Sequence, residues 1–168
     1  NIQPNRLLTM QTRNSAAYKG IMALILQDSP LDFMTGHRMD IASYIDEDAD
    51  IHHIFPQTYC EKNKLPRIKW NSVINKTPIY ASSNRSIGGH APSTYIGTMA
   101  NKGLDQLKIQ EAIESHKVNY IYLSSDDFDA YFIDRAIKLL NRVEKATGKV
   151  VTGRDSQETV DAYGVSLL

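Results

Sequence analysis

The stretch Asp50-Ile51-His52-His53-Ile54-Phe55-Pro56 decides how this chain is interpreted. Two adjacent histidines lie in a short apolar run, bounded by acidic residues on one side and a proline on the other, which is typical of a β-strand. Adjacent imidazoles fill a core poorly, because each carries a ring nitrogen that must be hydrogen-bonded or pay a desolvation cost. They suit a site in which one histidine binds a metal and its neighbour accepts a proton near neutral pH.

The composition is that of a soluble globular domain. The chain has 168 residues, of which 42% are apolar and 23% charged. This length is enough for one domain with a hydrophobic core but too short for two domains of ordinary size, so we expect a single domain over residues 1–168. It begins at Asn1 without an initiator Met, and we expect a fragment of a longer protein. No run of about 18 apolar residues or signal-like leader is present, so we expect no membrane partner and a cytoplasmic location. The single cysteine, Cys60, excludes an internal disulfide and a Cys-X-X-Cys zinc site.

The charge is balanced overall but not locally. A formal net charge of zero and a pI near 7.1 argue against strong autonomous binding to nucleic acid. Residues 57–85, however, carry a net excess of five positive charges beside the histidines. The acidic residues that balance this charge lie upstream, in residues 46–50. We interpret the acidic run 46–48 as part of the solvent-exposed surface. The charged residues of 57–85 are Lys62, Lys64, Arg67, Lys69, Lys76 and Arg85, against Glu61.

The elements around the histidines follow the order strand, loop, strand, helix. We predict a first strand over 51–55 and a second over 79–82. A short helix over 57–64 and a loop around 66–72 lie between them, and a helix from about 83 ends at Gly88-Gly89.

Helices are predicted on both sides of this unit. Their apolar spacing, caps and stops place them from Asn14 or Ser15 to about Gln27, from Pro92 to about Asn101, from about Leu104 to Lys117, and from the cap at 124–127 to Gly148. Residues 31–44 are expected to form short irregular pieces, and the tail 149–168 has weak patterning. The predicted fold class is therefore α+β, with a strand-strand-helix core over about 51–89 embedded in flanking helices.

Two asparagines complete a constellation with the histidines. Asn75 can use both ends of its amide to pin the connecting loop, and Asn84 offers a neutral carbonyl oxygen to a hard cation. Phosphodiester cleavage needs a cation, a base for water and a scaffold that holds both. One nitrogen donor and one oxygen donor without a thiolate favour Mg²⁺ or Mn²⁺ over structural zinc.

The set His52-His53, Asn75 and Asn84 resembles the HNH nuclease motif, also called the ββα-metal or His-Me finger. A wider pattern over roughly 14–148 resembles the C-terminal nuclease domain of GmrSD-type restriction proteins. That pattern consists of Asp50–Gln57, Asn71–Pro78, Ser83–Gly89, Ala91–Ile96, Ser115-His116 and the helix from Asp126 to Arg135.

The resemblance implies a role for each of the four residues. His52 and Asn84 would be metal ligands, His53 the general base and Asn75 the loop brace. It also implies a metal-dependent DNA endonuclease of a bacterial or archaeal restriction or antiviral defence system, which leaves 5′-phosphate and 3′-hydroxyl ends. A separate N-terminal nucleotide-hydrolysing and DNA-recognising part would lie outside this chain. His52 stands where many members of the superfamily carry an acidic residue, which leaves the choice of metal open.

Several further residues have two interpretations each. Lys76, Arg85 and His90 are candidates for contacting substrate phosphate, with solvent-facing or loop-bracing roles as alternatives. Asp50 could hydrogen-bond a ring nitrogen of His52 or His53, or cap a turn. The remaining candidates are Trp70 and Tyr95 as base-stacking or core residues, His37 and His116 as structural or exposed residues, and Arg135 in a structural ion pair.

Other functions also stay open. The chain could be a non-catalytic DNA- or partner-binding module on a nuclease scaffold, or a nuclease acting on RNA or single strands, and it could form a homodimer. An ideal strand would place His52 and His53 on opposite faces, so the catalytic interpretation requires a local irregularity or a position at the end of a strand.

Overall fold

An antiparallel pair of strands carries the two histidines, and helices surround it. The computed structural model describes residues 2–45 and 49–168, so the acidic run 46–48 lies outside the described residues. The described elements are α1 (Arg6–Thr9), α2 (Ala16–Gln27), α3 (Ile41–Ile45), β1 (Ala49–His53), α4 (Gln57–Lys62), α5 (Arg67–Trp70), a 3₁₀ turn (Val73–Asn75), β2 (Lys76–Tyr80), α6 (Ala81–Ile87), α7 (Pro92–Asn101), α8 (Gln106–Glu114), α9 (Tyr120–Ser124), α10 (Phe128–Thr147) and α11 (Gln157–Tyr163). The predicted α+β class is confirmed.

β2 begins earlier than the sequence suggested. The strand covers 76–80 instead of 79–82, with Ile51 opposite Pro78, His52 opposite Thr77 and His53 opposite Lys76. A proline within a strand is tolerated here because each strand of a two-stranded sheet is an edge, where a missing N–H need not cost a hydrogen bond. The strand ends at residue 80 because α6 begins at the next residue.

β1 ends earlier than predicted, at His53 instead of Phe55. Beyond that point, Asn75 accepts the backbone hydrogen bonds that a continuing strand partner would accept. Its backbone oxygen accepts from the Ile54 N–H at 2.9 Å, and its side-chain oxygen accepts from the Phe55 N–H at 2.9 Å. Ile54 and Phe55 are buried in the core. His53 is therefore the last residue of its strand, but its ring packs against Trp70 while the ring of His52 packs against Phe33 and Tyr95, so the two imidazoles remain on opposite sides of β1.

The long flanking helices agree with the sequence prediction. Ser15 caps α2 by accepting from the Tyr18 N–H, and α7 begins at Pro92. Asp127 caps α10, which ends at Gly148 in the left-handed conformation. α8 is shorter than predicted, because Asp105 caps it at its first turn and it ends at Glu114.

The C-terminal tail has more structure than its weak patterning indicated. Ser156 caps α11 by accepting from the Thr159 N–H. Tyr163 at its end is buried, donates its hydroxyl proton to the carbonyl of Pro4 at 2.6 Å and packs near Phe132. The tail thus packs against both α10 and the N-terminal residues.

Arg135 supports the loop before β2 from within the core. Its side chain is fully buried on α10. Among the described residues it forms no ion pair, unlike the sequence interpretation, and donates instead to backbone carbonyls. These belong to His116 at 3.1 Å, Val73 at 3.3 Å, Ile74 at 2.5 Å and Lys76 at 2.9 Å. In the same described ranges, no helix combines the length and apolar character needed to cross a membrane.

Candidate functional site

The hairpin and the helix that follows it bring His52 and Asn84 together. Asn84 is the fourth residue of α6, which packs against β1. The Nδ1 atom of His52 lies 2.9 Å from the side-chain oxygen of Asn84, although 32 residues separate them in the chain. Because α6 starts directly after β2, its first turn is held over the neighbouring strand.

Asp50 fixes the orientation of the Asn84 amide. The Nδ2 of Asn84 donates to a carboxylate oxygen of Asp50 at 2.9 Å, which turns the amide oxygen toward His52. Asp50 and His52 are two residues apart on one strand and so share a face. A direct hydrogen bond between Asp50 and a histidine ring, one of the two roles considered for this residue, is absent among the described residues, because the carboxylate accepts from Asn84 instead.

His52 is held as a neutral imidazole. Its side chain is only 2% exposed and meets the rings of Phe33 and Tyr95 edge to face, at centroid distances of 5.8 and 5.7 Å. Burial lowers the pKa of His52 to about 4, against the opposing effect of the Asn84 hydrogen bond. Its Nε2 atom is buried without a hydrogen-bond partner in the part of the chain that the structure describes.

His53 lies on the other side of the strand and is half-buried. Its Nε2 is 3.1 Å from the side-chain oxygen of Asn71, and its ring meets Trp70 at 5.9 Å between centroids. Burial lowers the pKa of His53, the Asn71 hydrogen bond opposes that shift, and the positive charges of Lys76 and Arg67 add to it. A neutral imidazole with a free lone pair is the form that can accept a proton at neutral pH.

Asn75 is a fully buried brace. Its oxygen accepts from the Phe55 N–H and from the Tyr131 hydroxyl, both at 2.9 Å. Its amide nitrogen donates to the carbonyls of Phe55 at 3.0 Å and Trp70 at 2.8 Å. Every hydrogen-bonding position of the side chain is therefore used, and the 3₁₀ turn before β2 is tied to the end of β1, to α5 and to α10.

A cleft opens beside the histidines. Its volume is about 220 Å³, and its walls come from β1, the start of α4 and the end of α6. Gly88 ends α6 at φ 63° and ψ −152°, a backbone region that is essentially restricted to glycine. The residues lining the cleft include His52, His53, Pro56, Thr58, Asn84 and Gly89.

His52 and Asn84 are joined by a direct hydrogen bond, whose length is also that expected between two adjacent ligands of a divalent cation. Adjacent ligands of an octahedral Mg²⁺, each about 2.1 Å from the ion, are about 3.0 Å apart, close to the 2.9 Å between these two atoms. Within residues 2–45 and 49–168, no group of three His, Cys, Asp or Glu side chains could hold a metal. A cation here would depend on water and phosphate oxygens for its other ligands, as Mg²⁺ commonly does.

The three residues predicted to contact phosphate lie in different surroundings. Lys76 is 6% exposed, donates from Nζ to the carbonyl of Gln11 at 2.9 Å and lies opposite His53 in the sheet. Burial, together with the positive charges of Arg67 and Arg13, lowers its pKa to about 8. Arg85 is exposed on α6, and His90 is exposed beyond its end. The structure does not gather these three side chains into one cluster.

Sequence reasoning missed three polar residues near the site. Buried Asp32 holds the junction of β2 and α6, accepting from the Tyr80 N–H at 2.7 Å and the Ser83 hydroxyl at 2.6 Å. Its one sequence signal is the Asp32-x-x-Thr35 turn within a segment expected to be irregular. Gln11 and Asn71 form a hydrogen-bonded path that ends at His53.

The aromatic and histidine candidates away from the site are structural or exposed. Trp70 and Tyr95 are buried, and the Tyr95 hydroxyl donates to the carbonyl of Ile54 at 2.8 Å. His116 is buried and bonds through its two ring nitrogens with Thr77 and the carbonyl of Leu31. His37 is exposed.

Comparisons with known proteins find a relative of undetermined function. An uncharacterized protein of Methanocaldococcus jannaschii is 34% identical over 121 residues, which covers 67% of this chain and 20% of that protein. The chain thus spans about a fifth of the length of the relative that it matches. No protein-family model matches the chain, and no solved structure matches it.

Proposed function

We propose that this chain is a metal-dependent DNA endonuclease of the HNH type. His52 and Asn84 would hold a divalent cation, Mg²⁺ or Mn²⁺, His53 would act as the general base, and Asn75 would brace the loop. One observation carries the proposal: the 2.9 Å approach of His52 Nδ1 to Asn84 Oδ1 beside an open cleft that His53 also lines.

The order of elements supports the same proposal. An antiparallel pair, β1 and β2, is followed without a loop by α6, which is the order expected for a ββα-metal core over about 51–89. The positions of the two histidines at the end of β1 and of Asn84 on α6 support this assignment. Asn75, directly before β2, ties the residues that follow β1 to the end of α5.

The chemistry of the proposal begins with a proton transfer. His53 accepts a proton from water, the water oxygen forms a bond to phosphorus, and the P–O3′ bond breaks. The leaving O3′ takes up a proton from solvent water, so that the products carry a 5′-phosphate and a 3′-hydroxyl, and His53 returns its proton to solvent. The imidazole can accept that proton because it is neutral, its pKa being lowered by burial. A cation bound by His52 and Asn84 would stabilise the charge that develops on the phosphate and the leaving oxygen.

Positive charge near the base supports a nucleic-acid substrate. The positive charges of Lys76 and Arg67 lower the pKa of His53. Lys76 is buried and donates to the Gln11 carbonyl, whereas Arg67 is exposed and forms no ion pair among the described residues, so Arg67 is the cation of the two that can meet a phosphate. Unpaired cations attract a phosphate backbone, and that attraction weakens with salt. We place the activity in a restriction or antiviral defence protein, in which a nucleotide-hydrolysing part outside this chain selects the DNA. The much greater length of the matched relative is compatible with such a setting.

Nicking of supercoiled plasmid tests the proposal. We expect cleavage in Mg²⁺ or Mn²⁺, none in EDTA, and none by His53→Ala, whose circular dichroism spectrum should match that of the parent chain. His37→Ala is the matched control, because that histidine is exposed and should be dispensable.

Other substrates and outcomes separate the alternatives. Cleavage of RNA or single-stranded DNA in preference to plasmid would assign another substrate class to the same site. DNA binding without cleavage, indifferent to EDTA, would identify a binding module instead. Full activity of His53→Ala would remove this residue from the reaction.

A further inference from the structure

We propose that Gln11 and Asn71 are positioning residues that hold His53 with its proton on Nε2, leaving Nδ1 as the nitrogen that accepts a proton. The importance of this arrangement for cleavage rests on the proposed function. The tautomer itself does not, because it follows from a series of hydrogen bonds that begins far from the cleft.

The series begins at Gln11, whose amide can adopt only one orientation. Its Nε2 donates to two backbone carbonyls, those of Leu8 at 2.7 Å and Ile68 at 3.1 Å. Both amide hydrogens are thereby used. The reverse orientation would place the amide oxygen against two carbonyl oxygens, so Oε1 of Gln11 must point away from them.

Asn71 transmits this orientation to His53. Its Nδ2 donates to the Gln11 oxygen at 3.0 Å, so its own oxygen is the atom that faces His53 Nε2 at 3.1 Å. A carbonyl oxygen can only accept, which requires the hydrogen to be on Nε2. The lone pair of the neutral ring is then on Nδ1, which makes no hydrogen bond in the described part of the chain.

The backbone around Gln11 is tied to the strand opposite the base. Lys76, which pairs with His53 in the sheet, donates from Nζ to the Gln11 carbonyl at 2.9 Å. The Val73 N–H donates to the carbonyl of Met10 at 2.9 Å. The segment after α1 is therefore fixed to the hairpin, and the path to His53 has an anchored starting point.

Such partners matter because they select which ring nitrogen is available. Hydrogen bonds to the far side of a functional imidazole fix its tautomer and ring orientation, and losing one costs roughly 10–100-fold in metal affinity or activity at metal-bound histidines. We expect a loss of similar size here, seen in kcat and not in KM, since neither residue lines the cleft.

The tautomer can be measured without any assay of cleavage. In ¹⁵N-histidine-labelled protein, the nitrogen shifts of His53 should identify Nε2 as protonated and Nδ1 as the lone-pair nitrogen at pH values where the ring is neutral. Asn71→Leu and Gln11→Met should each produce a mixture of tautomers. Asn71→Asp loses the donor to Gln11 but keeps an acceptor for the Nε2 hydrogen, so it should favour the Nε2–H form over the mixture seen in Asn71→Leu. A proton on Nδ1 in the parent chain, or unchanged shifts in Asn71→Leu, would overturn the proposal.

Kinetics on plasmid DNA then separate the two claims. Asn71→Leu should lower kcat roughly 10–100-fold, Asn71→Asp should recover part of it, and Asn141→Leu, on an exposed position of α10, should match the parent. If the parent protein cuts DNA and Asn71→Leu cuts equally fast, the positioning role fails while the nuclease stands. If the Nε2–H tautomer is present but the parent cuts nothing, the hydrogen-bonded path stands and the nuclease proposal fails.

Discussion

The side-chain oxygen of Asn84 lies 2.9 Å from Nδ1 of His52, and the amide that carries it is oriented by Asp50. Three residues from two elements thus form one short hydrogen-bonded series at the edge of an open cleft. Without a cation, His52 satisfies the Asn84 oxygen by donating from Nδ1, which leaves its buried Nε2 without a described partner. Binding a cation at Nδ1 requires the hydrogen to move to Nε2, so metal binding and the tautomer of His52 are linked.

Replacing Asn75 should destabilise the fold more than any single hydrogen bond would suggest. Asn75→Ala leaves the Phe55 N–H and the Trp70 carbonyl without their partner in a buried site, and we expect a loss of about 3 kcal/mol in the free energy of unfolding. Urea unfolding measures it. Tyr131→Phe removes only one bond to the same amide and should cost about 1 kcal/mol. Equal stability of the Asn75→Ala and parent chains would show that the brace is dispensable.

Acid should destabilise the metal-free protein through two buried histidines. Burial lowers the pKa of His52 to about 4 and of His116 to about 3, while both take up a proton near pH 6.5 in the unfolded chain. Their contribution to stability is therefore complete above pH 6.5 and is lost as the pH falls from there toward 3.

Urea unfolding in EDTA between pH 7.5 and 4 tests this pH dependence. His116→Gln should flatten the decline in stability relative to the parent chain, and His37→Gln, at an exposed position, should leave it unchanged. Carboxylates such as Asp28, whose pKa is also lowered in the fold, contribute equally to all three proteins. Parallel curves for His116→Gln and the parent would contradict the assignment.

Arg85 should contribute to DNA affinity without regard to sequence. It is exposed on α6 next to Asn84, and a phosphate contact predicts that Arg85→Gln weakens binding uniformly and reduces the slope of log K against log salt by about 1. Fluorescence anisotropy in a His53→Ala background would measure binding to uncut DNA. Lys145→Gln, an exposed change on α10, serves as the control. An unchanged slope for Arg85→Gln would assign this side chain to solvent.

The sequence predicted the elements whose signals are local. Helices α2, α7 and α10 carry their caps and stops within a few residues, and Ser15, Pro92 and Gly148 mark their bounds as expected. The strands were displaced by two or three residues, because Asn75 ends β1 from 20 residues away and Pro78 lies inside β2. Contacts between residues far apart in the sequence leave no periodic pattern from which a strand boundary could be predicted.

The site, like the fold, has features that the sequence predicted and others that depend on contacts between distant residues. The grouping of His52 with Asn84 was expected from the motif that the chain resembles, while the role of Asp50 in orienting the amide was not, because it depends on which atom faces which. The role of Gln11 could not be predicted from the sequence, because it reaches His53 only through Asn71, which is 60 residues away in the chain. Arg135 was expected to find a carboxylate and instead binds carbonyls of the loop that Asn75 braces.

Manganese in crystals of the protein tests the central claim most directly. The account predicts an anomalous difference peak within coordinating distance, about 2 Å, of both His52 Nδ1 and Asn84 Oδ1, and its loss in Asn84→Ala. Manganese bound only at other sites in the crystal would contradict a cation shared by these two residues, and so would a peak at His52 that Asn84→Ala leaves unchanged. Either result would also contradict the cleavage mechanism that depends on this cation.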